Sequence, residues 1–233
     1  MPEIFLADLL QMLPFGADHM YILERALRRH SLLAKHKHPA KIHFMHDQHR
    51  NRAVFLDRDG TIMKDASHVG KVEQVVLIPH ALSALKRLQD AGYALFVITN
   101  QSGVGRGYFT HEAVESIHAH LNERFDEAGV CIERYYVCPH HPEDHCDCRK
   151  PKPKFLFDAA REYGLDLSRC FMIGDRLSDI QAGQNAGAKS ILVLTGAGRE
   201  TRANPEARPD HLADDLAAAT EWILSQQSHQ TIS

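Results

Sequence analysis

The stretch Ala53-Val54-Phe55-Leu56-Asp57-Arg58-Asp59-Gly60-Thr61 constrains the fold more than any other part of the chain. Four apolar residues run directly into two carboxylates and a glycine. A short, unbroken apolar run bounded by a turn signal reads as a strand buried on both faces. Gly60 lets the chain turn sharply where that strand ends. Asp57 and Asp59 are two residues apart, so strand geometry sends them to the same side. Two carboxylates held together repel unless a cation or a shared proton relieves them, so the pair points to chemistry rather than stability. A helix-loop-helix calcium site needs Gly at its sixth position and Glu at its twelfth. Counted from Asp57, those positions hold Ile62 and His68, and that reading fails.

The rest of the chain alternates helical and strand patterns. After a polar loop at 62–78, Pro79 opens a helix bearing Leu82, Leu85 and Leu88, stopped by Gly92. Residues 94–98 form a second buried strand that leads into Thr99-Asn100-Gln101-Ser102-Gly103. Thr110 caps a helix with Val114, Ile117, Leu121 and Phe125 on one face. Further strands are expected at 132–137, 170–173 and 190–194, and further helices at 153–163, around 180–186 and at 215–226. This order implies an α/β, doubly wound (Rossmann-like) parallel sheet with helices on both faces. Such sheets bind ligands at the carboxyl ends of their strands. Asp57, Thr99 and Asp175 each end a buried strand, which brings two carboxylates and a hydroxyl to one edge.

Composition sets the outer bounds. The 233 residues, 44% of them hydrophobic, suffice for one sizeable core and an appendage. A formal net charge of −3 excludes a global field for nucleic acid. No run approaches the roughly 18 apolar residues of a membrane span. Glu3 and Asp8 precede any Lys or Arg, unlike a secretory signal. Of five cysteines, three fall within Cys138–Cys148, a pattern of metal ligands in a reducing compartment rather than of disulfides. Cys131 and Cys170 lie in or beside strands and read as core residues. Residues 1–50 differ from the rest: an apolar helical pattern over 3–33, then a basic, His-rich piece from Lys35 to His49 that reads as a solvated linker.

The combination resembles the haloacid dehalogenase-like phosphohydrolases from about residue 53 to residue 220. Asp57-x-Asp59-Gly60-Thr61, Thr99 after an apolar strand, Lys150, and Gly174-Asp175-x-x-x-Asp179 match that family's four motifs in order. The resemblance implies a phosphomonoester hydrolase with Asp57 as nucleophile, forming an aspartyl phosphate. Asp59 is then the acid and base toward the leaving alcohol and the attacking water. Thr99 and Asn100 hold phosphoryl oxygens, and Lys150 supplies fixed positive charge. Asp57, the Asp59 carbonyl and Asp175 hold Mg²⁺, a hard ion suited to oxygen ligands, with Asp179 orienting that shell. The alternative for Asp179 is a cap on the following helix. The domain so defined runs over 51–227, after an N-terminal extension at 1–50 and before a tail at 228–233.

Three thiols and a histidine within Cys138-Pro139-His140-His141-Pro142 and Cys146-Asp147-Cys148 suit tetrahedral Zn²⁺. The spacing alone leaves His141 and His145 open as ligands. It is similar to the zinc loop of two related branches, the heptose bisphosphate phosphatases and the histidinol phosphatases, and that likeness implies Cys138, His140, Cys146 and Cys148. Four protein ligands make the site structural, bracing the loop that leads into Arg149 and Lys150.

Loop lengths leave no room for a separate cap domain. The site is expected to be open, walled by 62–78, 102–109 and the zinc loop. Arg106, Arg149, Lys150, Lys152 and Arg176 crowd its rim, and surplus guanidinium groups suit a second anionic group on the substrate. The stretch from Asn100 and Gln101 through Ser102 to Arg106, together with Asp65, Ser67, His68, Arg149-Lys150 and Arg176, is similar to the heptose branch. The histidinol branch tends to carry an acid where Ser102 stands. The resemblance therefore implies a heptose 1,7-bisphosphate losing its 7-phosphate, a step toward the heptose of bacterial lipopolysaccharide. A histidinol phosphatase, a broader sugar phosphatase and a non-catalytic zinc-braced binding module are the alternatives. A monomeric cytoplasmic enzyme with a small sugar phosphate substrate, and without nucleic-acid or membrane partners, is expected. Residues 1–44 have no counterpart in the resemblance, and the catalytic part is expected to begin near Met45.

Overall fold

The computed structural model describes residues 51–66 and 68–228. The helical and His-rich readings of residues 1–50, the substrate contact expected of Ser67 and the end of the tail lie outside the described residues.

Each buried apolar run becomes a strand of one six-stranded, all-parallel sheet ordered β3-β2-β1-β4-β5-β6. The strands are β1 (Ala53–Leu56), β2 (Ala94–Asn100), β3 (Arg134–Cys138), β4 (Phe171–Gly174), β5 (Lys189–Val193) and β6 (His211–Ala213). The helices between them are α1 (Ala81–Asp90), α2 (Ser102–Gly105), α3 (His111–Glu127), α4 (Lys154–Tyr163), α5 (Leu177–Ala186), α6 (Gly198–Arg202) and α7 (Leu216–Ser228).

β1 shows why an unbroken apolar run was needed. Val54 and Leu56 enter one core with Leu85 and Leu88 of α1, Ile117, Leu121 and Phe125 of α3, and Leu216 and Ile223 of α7. Ala53 and Phe55 enter a second core on the opposite face with Leu156 and Ala159 of α4 and Ala182 and Ala186 of α5. The sheet is therefore covered on both sides, as the composition of its strands requires.

Punctuation follows the local chemistry. The Thr110 hydroxyl accepts from Ala113 N at the start of α3. Gly164, at φ 66°, ends α4 in the left-handed region, where a glycine carries no steric penalty.

Several elements differ from the sequence expectation. β6 and α6 were not anticipated, because three residues, His211-Leu212-Ala213, form no apolar run and pair only along the sheet edge. β3 begins two residues late: Ile132 is buried but lies before the ladder, which starts with Arg134 opposite Phe96. The 62–78 segment is not a plain polar loop. Ile62, Met63, Val69 and Ile78 are buried, and Lys64 N and Ile78 N donate to Val76 O and Ile62 O across it. Cys170 is in the core, but Cys131 is only half-buried. Among the described residues no helix is long and apolar enough to cross a membrane, and no separate cap covers the sheet edge.

Candidate active site

The chain runs from β1 outward to β2 and β3, then returns past β1 to β4. The carboxyl ends of β1 and β4 thus form the switch point of the sheet. Leu56 pairs with Ile173, and Asp57 N donates to Ile173 O at 2.9 Å, so Asp57 and Asp175 leave adjacent strands at nearly the same level. Thr99 lies near the end of β2 on the other side of β1. A cavity of about 280 Å³ opens there, lined by Asp57, Asp59, Thr99, Gln101, Lys150 and Asp179 at its base.

Lys150 is the hub. Its ammonium is buried and donates to Asp57 Oδ1 at 2.5 Å and to Ile98 O at 2.7 Å, and it pairs with Asp179 Oδ1 at 2.7 Å. Burial alone would lower the lysine, but Asp179 and Asp57 beside it override that and raise it, so it stays charged. Asp57 is pushed well above the usual carboxylate range, first by burial and then by Asp179, Asp175 and Asp59, with Lys150 opposing them. Asn100 Nδ2 donates to Lys150 O and Asn100 Oδ1 accepts from Lys150 N, both at 3.1 Å. Its amide therefore fixes the lysine backbone in the structure.

The donor set fits a hard divalent cation. Asp57, Asp175 and Asp179 each offer an oxygen, all within 4.8 Å of one another. Asp175 Oδ2 accepts from Ala197 N at 2.7 Å, while its buried Oδ1 has no hydrogen-bond partner. Burial, and then Asp179, push Asp175 up to about 6, against the opposing pull of the Ala197 N–H, Arg176 and Lys150. Space for that carboxylate is made by two glycines: a Cβ on Gly60 or on Gly196 would lie 2.2 Å from Asp175 Oδ2. Asp179 is no N-cap. It is the third residue of α5 and reaches back to accept from Arg176 N at 2.9 Å, so it closes the helix start and pairs with Lys150 at once.

Asp59 stands beyond the end of β1, one-fifth exposed, and is gripped by Arg58 from behind. Gln101 Nε2 bridges Asp59 Oδ2 at 2.8 Å and Thr99 Oγ1 at 2.7 Å. At the rim, Arg176 donates to Asp65 Oδ2 at 2.6 Å, while Arg149 has a buried NH1 with no hydrogen-bond partner. Asp65, His68, Asn100, Ser102, Arg149 and Arg176 all line the cavity. Arg106 does not: it follows α2 and is exposed.

The zinc loop supplies no lining residue itself; only Arg149 and Lys150, just after it, reach the cavity. Its four expected ligands are gathered. Cys138 Sγ and Cys148 Sγ lie 3.6 Å from Cys146 Sγ, and His140 Nδ1 lies 3.7 Å from Cys138 Sγ and 3.2 Å from Cys148 Sγ. Those sulfurs are too far apart for disulfides. They are close to the edge of about 3.8 Å expected of a tetrahedron with Zn–S bonds of about 2.3 Å. His141 is engaged elsewhere, accepting from Glu143 N at 3.3 Å.

A family model described as HAD-hydrolase-like matches residues 147–219. The D-glycero-beta-D-manno-heptose-1,7-bisphosphate 7-phosphatase of Pseudomonas aeruginosa is 38% identical over 172 residues, 73% of this chain and 97% of that one. The corresponding phosphatase of Chlorobaculum tepidum is 40% identical over 190 residues, covering 75% and 96%. The crystal structure of the D,D-heptose 1,7-bisphosphate phosphatase of B. bronchiseptica, complexed with magnesium and phosphate, superposes with a TM-score of 0.72 at 36% identity, covering 75% of this chain and 99% of that one. The chain belongs to the heptose bisphosphate phosphatase family of the haloacid dehalogenase-like hydrolases. It is a phosphatase.

Within this phosphatase, Val69 and Gly103 line the cavity inside the expected walls 62–78 and 102–109, and sequence reasoning missed one lining residue, Ser178. It also missed Phe109, which wedges the rim together. A Cβ on Gly103 would meet Phe109 Cε1 at 2.3 Å, and one on Gly70 would meet Phe109 Cδ1 at 2.8 Å. Two glycines on separate loops thus admit one aromatic ring. Nothing in their local sequence pairs them; the only signal is a glycine where no turn requires one.

Proposed function

We propose that this phosphatase removes the 7-phosphate of D-glycero-D-manno-heptose 1,7-bisphosphate, using Asp57 as nucleophile and Asp59 as proton donor and acceptor. The observation that carries the catalytic reading is the convergence of Asp57 and Asp59, from the end of β1, and Lys150, from the segment after the zinc loop, on one cavity. An Asp57 oxygen attacks phosphorus. The ester P–O bond breaks as Asp59 gives its proton to the departing alcohol oxygen. Water then attacks the aspartyl phosphate, Asp59 takes a proton from it, and the P–O bond to Asp57 breaks, freeing phosphate. Lys150, itself buried, holds a preorganised positive charge against the transferring group. Thr99, held by Gln101, presents a hydroxyl to the same group. Mg²⁺, when bound by Asp57, Asp175 and the Asp59 carbonyl, supplies Lewis-acid stabilisation of the phosphoryl oxygens. Asp179 orients Lys150 beside it. Zn²⁺ on Cys138, His140, Cys146 and Cys148 is structural.

The unpartnered Arg149 NH1 in the rim supports a second phosphate on the substrate. Asp65, His68, Asn100, Ser102 and Arg176 complete the sugar-facing wall, and Ser67 is assigned a substrate contact from its place in the sequence alone. Free cysteines suit the reducing cytoplasm. Every residue given a role lies between 57 and 179, so residues 1–44 are dispensable for the chemistry. Mg²⁺-dependent phosphate release from the heptose 1,7-bisphosphate, the heptose 1-phosphate, the heptose 7-phosphate and histidinol phosphate tests the reading. The bisphosphate is expected to have the highest kcat/KM, with the 1-phosphate retained in the product. Preference for histidinol phosphate would overturn the substrate.

A further inference from the structure

Behind Asp59 lies a buried polar cluster that the chemistry above does not use. Arg58 is wholly buried, which is costly for a guanidinium unless its donors are paired. Its NH2 donates to Asp59 Oδ1 at 3.1 Å and Oδ2 at 2.9 Å, and its Nε donates to Oδ2 at 3.1 Å. The remaining nitrogen, NH1, is 3.2 Å from Nε2 of His118 on α3. A guanidinium only donates, so Nε2 must accept and the imidazole proton sits on Nδ1. Burial, and then the charge of Arg58, push His118 down to about 3, which keeps it a neutral acceptor. The His118 ring stacks on Tyr135 with centroids 4.2 Å apart and planes at 21°. The Tyr135 hydroxyl in turn donates to Asn122 Oδ1 at 3.0 Å. His118 and Asn122 are four apart on α3 and so share a face.

We infer that Arg58, locked by His118, is a positioning residue that fixes the angle at which Asp59 presents its carboxyl group to the leaving oxygen. The inference rests on the reading of Asp59 as proton donor. Its physical basis is that a fork of three contacts from one rigid plane leaves a carboxylate no free rotation. Arg58 can hold that plane only if its far nitrogen is also anchored. α3, which contributes no lining residue to the cavity, would thereby set the geometry of proton transfer, a quantity sensitive to small displacements.

The test compares leaving groups in the full chain with Mg²⁺ present. First-turnover release is measured for a sugar phosphate, whose alcohol needs a proton, and for an aryl phosphate with a strongly acidic phenol, which does not. Asp59→Asn is the control and should slow the sugar phosphate by about 10²–10³-fold with little effect on the aryl phosphate. His118→Phe keeps the stacking on Tyr135 and removes the acceptor. It should slow the sugar phosphate by about tenfold, leave the aryl phosphate within about twofold, and leave KM unchanged. His118→Gln restores an acceptor oxygen and should recover most of the loss. Should His118→Phe not fold, Arg58→Lys, which keeps the charge and loses the fork, is expected to show the same leaving-group-selective loss. Equal effects of the His118 or Arg58 substitutions on both substrates would overturn the inference while leaving Asp59 as donor. Equal loss on both substrates in Asp59→Asn would overturn the donor reading and this inference with it.

Discussion

Lys150 and Asp179 form a buried ion pair at 2.7 Å, and the second oxygen of that same aspartate accepts from Arg176 N at the start of α5. One carboxylate therefore ties the lysine that follows the zinc loop to the helix that follows β4. Substituting Lys150 by Met should remove the only cation paired with Asp57 and Asp179 among the described residues. Breaking such a buried pair costs about 3–5 kcal/mol, and losing a preorganised charge costs about 10²–10³-fold in kcat. Thermal melts and turnover of Lys150→Met check both. Mg²⁺ should recover part of the stability and none of the turnover.

Asp175 links metal binding to pH. Its folded value near 6 is above the ordinary 3.8. The folded state therefore holds more protons between about 4 and 6, and the stability this group contributes at low pH is lost as pH rises through 6. Over about two pH units at about 1.4 kcal/mol each, the loss at neutral pH is on the order of 3 kcal/mol. Asp175→Asn should therefore melt higher than the parent at pH 7.5 without Mg²⁺, with the gap closing near pH 4. It should also lose turnover. A lower melting temperature for Asp175→Asn at pH 7.5 would contradict the assignment.

Burial pushes the Cys138 thiol up to about 12, so without a cation it carries a proton that zinc must displace. Elemental analysis of protein purified without chelator should find one zinc per chain. Cys146→Ser should lower the melting temperature and kcat together, because the loop positions Arg149 and Lys150. The disruption should reach α2, since Gly105 N donates to Pro139 O at 2.8 Å and a Cβ on Gly105 would meet His141 N at 2.3 Å. Protein that is fully active and contains no zinc would sink the structural assignment.

Arg149 and Arg176 differ in what they have left to offer. Arg176 is already engaged by Asp65, whereas Arg149 has an unpartnered NH1. Arg149→Ala should raise KM for a 1,7-bisphosphate by about 10–100-fold, the worth of one or two charge-assisted hydrogen bonds. It should raise KM much less for a 7-monophosphate. Equal losses on both substrates would exclude Arg149 from the second phosphate.

The sequence by itself determined the sheet and the residues at its edge. The apolar run of β1 could only be buried on both faces, and period-2 geometry then sends Val54 and Leu56 to one core and Ala53 and Phe55 to the other. Asp57 and Asp175 follow their strands directly and Thr99 lies near the end of β2, so local chain direction carries all three to the carboxyl edge of the sheet. Tertiary structure decided what each group faces. Asn100 turned to the Lys150 backbone, Arg176 to Asp65, and Arg106 away from the cavity, because those partners are separated in sequence by distances that no periodicity encodes. The same holds for Phe109 between Gly70 and Gly103, and for Arg58 against His118, 60 residues apart. A strand or a helix is specified by neighbours along the chain. The partner of a buried guanidinium or carboxylate is specified only when packing has removed water and left one group within reach.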